Sequence, residues 1–468
     1  MSGHGEGMVG PGPLPGLDDL AVPGRPVLVV GMRVTGLAVA RRLLSQGVPV
    51  VAVDDGPTEE TRAMAAELGI ALHEAPAAPL LGELARGAAL AVVSPGVPVS
   101  HPVFGLHLPV VSEIELAGRA ARALGIPLVA VTGTNGKTTV TTLVAQVLSA
   151  SGIAAVAAGN IGPPLLDVVA TRPEIVVAEV SSFQLALSQT FRPRVGAWLN
   201  LAEDHLDWHG TMDHYTESKA RIWASQAEGD VAVGNADDPV VMARLAGAPA
   251  ATVLTFGLGG PAPGRFHEEG GWLRTPEGEP ILAVSELWRS LPHDRSNALA
   301  ACAISLASGG SLTACRRVLR SFSGLHHRVE LVGEAGGVRW FDDSKATTPA
   351  SVLAALSGFD SVVLIAGGRN KGLDLGTLRA GAAHLRAVVA IGEAAPEVEA
   401  ALGDRVPARR AASMAEAVEV AGQLSRPGDV VLLSPGCASF DWYRSYAERG
   451  EDFTREVRRR IEIGKAVV

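Results

Sequence analysis

Two hydrophobic regimes alternate along the chain. Short unbroken apolar runs, "PVLVVG", "VPVVAVDD" and "ALAVVSPG", are separated by stretches such as "LAVARRLLSQG", whose apolar residues recur at helical spacing. The runs predict buried strands and the stretches amphipathic helices, so a parallel α/β sheet is expected through residue 93. After the helical pattern "EIELAGRAARALG" a second series follows: "PLVAV", "GIAAVAAGN", "EIVVAEVSS", "RVGAWLNL", "DVAVGNADD" and "ATVLTFG". A third series, "GVRWFDDS", "SVVLIAGG", "AVVAIG" and "DVVLLSPG", comes after the turn "SGLHHR". The alternation predicts three α/β units at residues 24–115, 116–324 and 325–468, behind a flexible leader of residues 1–23.

Composition narrows this picture. A chain of 468 residues, 47% hydrophobic but only 4% aromatic, suits several aliphatic cores with buried parallel strands. Its 40 basic and 49 acidic residues leave a net charge of -9 with no basic block that could track a phosphate backbone, so nucleic acid is not an expected partner. Cys302, Cys315 and Cys437 are far apart and form no C-x-x-C pair, which points away from a disulfide framework or a zinc site. No apolar run is long enough to cross a bilayer, and the leader lacks the parts of a signal peptide. A cytoplasmic protein with no membrane partner is therefore expected, and a monomer.

The chemistry starts at "VAVTGTNGKTTV", residues 129–140: strand, tight loop, helix. Such a junction aims backbone N–H groups and the positive end of a helix at one spot, which suits phosphate. Gly133 and Gly136 let the chain turn, Lys137 would reach the β- and γ-phosphates of ATP, and Thr138 would face Mg²⁺. The usual G-x-x-x-x-G-K-[ST] spacing is not met, because Val131 stands where its first glycine would. An ordinary turn with a solvated lysine is the competing reading. Glu179, at the end of "IVVAE", is a second candidate Mg²⁺ ligand, since strand ends border the ligand crevice in such sheets. "NLAEDHLDWHG" adds acids and His205, where a second divalent ion would help two anions meet, and Lys219 follows on a helical pattern. Near the start, "VVGMRVTG" looks like a dinucleotide fingerprint with Arg33 in place of its middle glycine. That argues against a pyrophosphate lying across the turn, and Asp54 or Asp55 follows where a ribose or base contact is expected.

Taken together, "TGTNGKTT", "GNIG", "EVSSFQL", "AEDHLDWHG" with Lys219, "SNALAA" and "GLHHR" resemble the Mur ligases, in the family's order and over most of the chain. "FDDSKATTP", "GGRNKG" and "SPGCASFDW" are similar to the branch of that family that adds D-glutamate. The resemblance implies three domains: a Rossmann-like one for the UDP substrate, a central P-loop ATPase domain, and a Rossmann-like C-terminal one for the amino acid. It implies an ATP-dependent ligase that joins D-glutamate to UDP-N-acetylmuramoyl-L-alanine through an acyl phosphate, in peptidoglycan precursor synthesis. Carried over by position, it assigns ATP binding to Gly133, Thr134, Asn135, Gly136, Lys137, Thr138, Thr139, Asn297, Arg328 and Asp343. Thr138, Glu179, His205 and a CO₂-carbamylated Lys219 would hold Mg²⁺ at two sites. Lys137, His205 and Lys219 would be catalytic, the proton-accepting base being left between His205 and a coordinated water. Thr35, Asp54, Ser94 and Asn160 would contact the UDP substrate. Lys345, Thr347, Lys371, Ser439, Phe440 and Tyr446 would hold D-glutamate. Two positions depart from the pattern: His293-Asp294 stands where His-Asn is expected near adenine, and Tyr446 where phenylalanine is common. Another ligase of the superfamily, such as a folylpolyglutamate synthetase, is the nearest rival reading, and a non-catalytic nucleotide switch the rival from another class.

Overall fold

The computed structural model describes residues 14–466, except 18, 19, 21 and 251, and the backbone alone over 463–466. Three sheets account for the strands. The first has five parallel strands in the order 71–74, 50–54, 27–30, 90–93, 110–111. The second has nine, in the order 280–283, 272–274, 265–269, 252–256, 231–235, 195–198, 128–132, 175–179, 155–159. It is parallel from 155–159 to 265–269 and ends in two antiparallel strands. The third orders 330–335, 338–342, 430–436, 362–367, 385–391, 408–411, and only its first strand runs antiparallel.

The runs read as strands are central ones. Leu128–Thr132, Ile175–Glu179 and Val430–Gly436 are buried at every residue, as strands covered on both faces must be. Helix Lys137–Ala150 buries Val140, Leu143, Val144 and Val147, the face its spacing predicts.

Two expectations are corrected. Leu14, Leu17 and Leu20 belong to the stretch read as a flexible leader, yet each is at most 3% exposed and joins the core shared by the first two sheets. Three leucines at near-helical spacing bury enough apolar surface to tie the segment down despite its proline and glycines; residues 1–13 of that leader lie outside the described residues. The boundary at residue 115 falls inside helix Glu113–Leu124, which packs between the first sheet's helix Val34–Leu44 and helix Leu165–Ala170 of the second. One apolar cluster runs through all of these, from Val27 and Val29 to Val176 and Trp198. The third sheet has cores of its own, on both faces. It meets the second sheet at its C-terminal strand ends, where Ser351 Oγ donates to Asn135 Oδ1 at 2.6 Å and Arg328 Nη2 to Thr138 Oγ1 at 3.0 Å.

Candidate active site

Parallel register builds the site. Val131 pairs with Glu179 on one side, and Thr132 with Trp198 on the other, so the loop after Thr132 opens between Glu179 and Asn200. Asn200 braces that loop: its Oδ1 accepts from Asn135 N at 2.8 Å, its Nδ2 donates to Asn135 O at 3.1 Å, and its backbone carbonyl accepts from Thr134 N at 3.1 Å. Gly136 caps the helix at φ +84°, and a Cβ there would lie 2.5 Å from Asn297 Oδ1. Only glycine allows both the left-handed turn and the close approach of Asn297. The helix's first-turn N–H groups have no intrahelical partner and face the cavity.

Cations crowd this loop. Lys137 Nζ donates to Gly133 O at 2.9 Å and Thr134 O at 2.8 Å, and Lys219 Nζ to the same Gly133 carbonyl at 2.8 Å. Lys219 is 1% exposed, with its Nζ 4.5 Å from the Tyr215 ring centre. Burial first, then the neighbouring Lys137, pushes the Lys219 amine well below the usual lysine range, although Asp204 opposes the shift. Burial lowers Lys137 too, against the pull of Glu179 and Asp204. Arg328 reaches Thr138 from the third domain's entry, and its Nε is buried without a partner.

Glu179 is 2% exposed. Asn160 Nδ2 donates to its Oε1 at 2.8 Å, and its Oε2 is buried without any partner. A buried carboxylate oxygen without a hydrogen-bond partner, in the cavity that Thr138 also lines, is the kind of donor a hard cation such as Mg²⁺ takes. His205 sits at φ +55° with its Nε2 3.3 Å from Asp204 Oδ2 and its ring 4.6 Å from that of Phe183. Burial lowers its pKa, Asp204 partly offsets this, and Lys371 adds to the lowering, so the imidazole is neutral at pH 7.

One cavity of about 720 Å³ gathers most of the predicted residues. From the loop come Thr134, Asn135, Gly136, Lys137, Thr138 and Thr139; around it stand Asn160, Glu179, His205 and Asn297. The third domain adds Arg328, Asp343, Lys345, Thr347 and Tyr446. Asp343 is pushed up to about 7, mainly by burial, while Ser434 donates to its Oδ2 at 2.8 Å. Lys345, its Nζ 5.0 Å from the Tyr446 ring centre, is lowered to about 8 by burial and then by Arg328, against Glu179.

The remaining predictions fall elsewhere. Lys371 is exposed on the loop after strand 362–367; Ser439 is buried and Phe440 is 58% exposed on the loop after strand 430–436. Thr35 and Ser94 lie at the first sheet's turn. Asp54 is committed there to backbone, accepting from Met32 N at 2.6 Å and Gly56 N at 2.9 Å. Asp294 does not leave an open carboxylate beside the cavity, because Arg289 grips it with two bonds of 2.6 and 2.7 Å. Sequence reasoning missed Asn200, Arg289 and Ser351. Only Asn200 carried a usable signal, a carboxamide at the C-terminal end of "GAWLN".

Against known proteins, residues 131–304 match the Mur ligase middle domain, and residues 327–437 the Mur ligase glutamate ligase domain. The UDP-N-acetylmuramoylalanine--D-glutamate ligase of Frankia casuarinae is 44% identical over 93% of this chain and 94% of its own. That of Pelobacter propionicus is 41% identical over 92% and 98%. The chain belongs to the Mur ligase family. Its fold agrees: the crystal structure of UDP-N-acetylmuramate-alanine ligase from Thermotoga maritima superposes with a TM-score of 0.55, at 20% identity, over 95% of this chain and all of that one. As a Mur ligase the chain has the family's three α/β domains, rich in parallel strands. Among its described residues no helix is long and apolar enough to cross a membrane.

Proposed function

We propose that this Mur ligase joins D-glutamate to UDP-N-acetylmuramoyl-L-alanine at the expense of ATP, in the cytoplasmic assembly of peptidoglycan precursors. The observation that carries the reading is the single cavity in which the phosphate loop, the unpartnered Glu179 oxygen and Lys345 face one another. Relatives at 44% and 41% identity, named for that reaction, support it.

A carboxylate is a poor electrophile, so it must be activated. An oxygen of the L-alanyl carboxylate attacks the γ-phosphorus of ATP, the bond to the β-phosphate oxygen breaks, and ADP leaves an acyl phosphate behind. Lys137 and Arg328 offset the charge of the two anions while the first-turn N–H groups orient the phosphates, so the chain contributes positioning and electrostatics. Asn297 and Asp343 hold the adenosine. The D-glutamate nitrogen then attacks the acyl carbon, phosphate departs, and the nitrogen gives up its proton. The acceptor would be His205, inside the cavity, or a water held there, and His205 could serve only with its lone pair free of a metal ion.

Thr138 and Glu179 would hold one Mg²⁺, and His205 with a carbamylated Lys219 a second. Bound there, Mg²⁺ supplies Lewis-acid stabilisation of the phosphoryl oxygens. Burial shifts Lys219 towards the uncharged amine, the form that adds CO₂ at nitrogen and loses a proton to become a carbamate. A carbamate there would offer an oxygen ligand where an amine nitrogen has none to spare. Lys345, Thr347 and Tyr446, with Lys371, Ser439 and Phe440 on neighbouring loops, receive D-glutamate. A side-chain cation suits a dicarboxylate better than alanine. Thr35, Ser94 and the Asp54 turn receive the uridine diphosphate, and Asn160 the acyl end.

The test is a substrate panel. With ATP and UDP-N-acetylmuramoyl-L-alanine, D-glutamate is expected to release phosphate and give a product heavier by one glutamyl residue; L-glutamate, meso-diaminopimelate and folate acceptors are expected to give none. Phosphate release with another amino acid and none with D-glutamate would overturn the reading.

A further inference from the structure

Asp294, the departure from the family's His-Asn pair, belongs to an arrangement that reaches the interdomain turn. It is 2% exposed in the first turn of helix Pro292–Ala307, and Arg289 Nε and Nη2 bond its two oxygens at 2.6 and 2.7 Å. The remaining guanidinium nitrogen, Arg289 Nη1, donates to the carbonyls of Arg328 at 3.0 Å and Val329 at 2.5 Å. One side chain thus spans the central domain and the connection to the third. That connection is strained. His327 and Val329 sit at φ +60° and +47° on either side of Arg328, a conformation costly for any side chain and most of all for a β-branched one. Strain of this kind persists only when neighbours hold it. On the Val329 side the holders are Arg289, on the two carbonyls, and Asp343, whose Oδ1 accepts from Val329 N at 3.3 Å; on the His327 side Glu330 Oε2 accepts from His327 N at 3.0 Å, Asp342 Oδ2 pairs with His327 Nδ1 at 2.7 Å, and Lys345 N donates to His327 O at 3.2 Å. The turn aims Arg328 at Thr138.

We propose that Arg289, oriented by Asp294, is a positioning residue for nucleotide: it holds the left-handed turn at 327–329 and so fixes the Arg328 guanidinium where the ATP phosphates bind. The planar fork matters, because a carboxylate and two carbonyls are served from three nitrogens at once. An asparagine at 294 would leave Arg289 as a half-buried cation without its counter-charge. The inference rests on the ATP reading of the cavity.

The experiment is a double-mutant cycle on ATP binding by the full chain, read by calorimetry together with KM, kcat and thermal midpoint. Arg289→Ala is expected to weaken ATP about tenfold or more while the KM for amino acid moves less than about twofold, with Asp294→Asn intermediate. If Arg289 acts through Arg328, the double variant Arg289→Ala with Arg328→Ala binds ATP no worse than Arg328→Ala alone. A purely structural role predicts losses that multiply, and that outcome overturns the proposal, as does a folded Arg289→Ala with native ATP affinity. Should Arg289→Ala not fold, Arg289→Lys takes its place in the same cycle, since lysine keeps the charge but not the fork. A wild-type chain that binds ATP yet makes no amide with D-glutamate would strike the substrate assignment alone.

Discussion

The turn after strand Val27–Val30 and the turn after strand Leu128–Thr132 share a plan: a buried parallel strand, glycines, and a helix whose N-terminus points at a crevice. They differ in what fills them. The first is closed on itself. Asp54 takes the N–H groups of Met32 and Gly56, Ser94 Oγ donates to Gly31 O at 2.7 Å, and a Cβ on Gly36 would lie 2.0 Å from that same carbonyl. Arg33, the cation of this turn, is exposed. At the second turn the loop is braced from one side by Asn200, and around it Lys219 is buried and Lys137 and Arg328 are half-buried. A strand-turn-helix junction is thus not by itself a site for ATP. The difference lies in cations wholly or partly withdrawn from water, whose desolvation the rest of the fold must offset and which an incoming anion would relieve.

Removing a cation from the second turn breaks the comparison most sharply. Lys137→Ala is expected to lower kcat/KM for ATP by about a thousandfold or more, on the scale of lost electrostatic stabilisation at a transferring phosphoryl group. Its thermal midpoint should stay level or rise, because a buried charge lowered by desolvation is taken away. Phosphate release and a thermal melt on the same sample measure both. Activity within tenfold of wild type would mean that these cations do not distinguish the two turns.

A smaller effect follows from Lys345, which faces the second turn from the third domain and has its pKa lowered to about 8 by burial. Lysine is cationic below its pKa, so attraction for a substrate carboxylate is fully present well below pH 8 and is lost as the pH rises through it. The KM for D-glutamate should therefore rise above pH 8, by up to about tenfold per unit. Lys345→Arg should flatten that rise, since guanidinium keeps its charge. A KM that rises equally in both proteins would place the titration on another group.

The same contrast explains what was legible in the sequence. Central strands such as "IVVAE" and "DVVLLSPG" announce themselves because both faces are buried. Ala71–Glu74, Ala408–Ala411 and the strands between 265 and 283 did not, since they lie towards sheet edges, carry mixed or exposed residues, and owe their pairing to neighbours. Within the site, Gly133 to Thr139 were readable as a contiguous motif with a mechanism. Lys219 became readable only through family likeness, because a lone lysine on a helix gives no sign of being buried. Ser351 and Arg289 were not readable at all: the bond from Ser351 to Asn135 joins residues 216 apart, and no local pattern encodes which distant segment a serine will meet. Leu14, Leu17 and Leu20 were hidden by their proline- and glycine-rich setting.

The smallest expected effect tests whether the first turn is a separate device. In Asp54→Asn one oxygen is replaced by an NH₂ group, which then faces the N–H of Met32 or Gly56, donor against donor. Stability should fall by about 1–3 kcal/mol, the cost of leaving a buried backbone donor unpaired. The KM for the UDP substrate should rise a fewfold as the turn loosens, while the KM for ATP stays within about twofold, because nothing at the second turn contacts Asp54. The two sheets nevertheless share one apolar cluster, in which Val29 and Ala52 join Ala130 and Trp198. If Asp54→Asn raised both KM values alike, the disturbance would be travelling through that core. The two turns would then have to be treated as one coupled unit rather than as an open turn and a closed one.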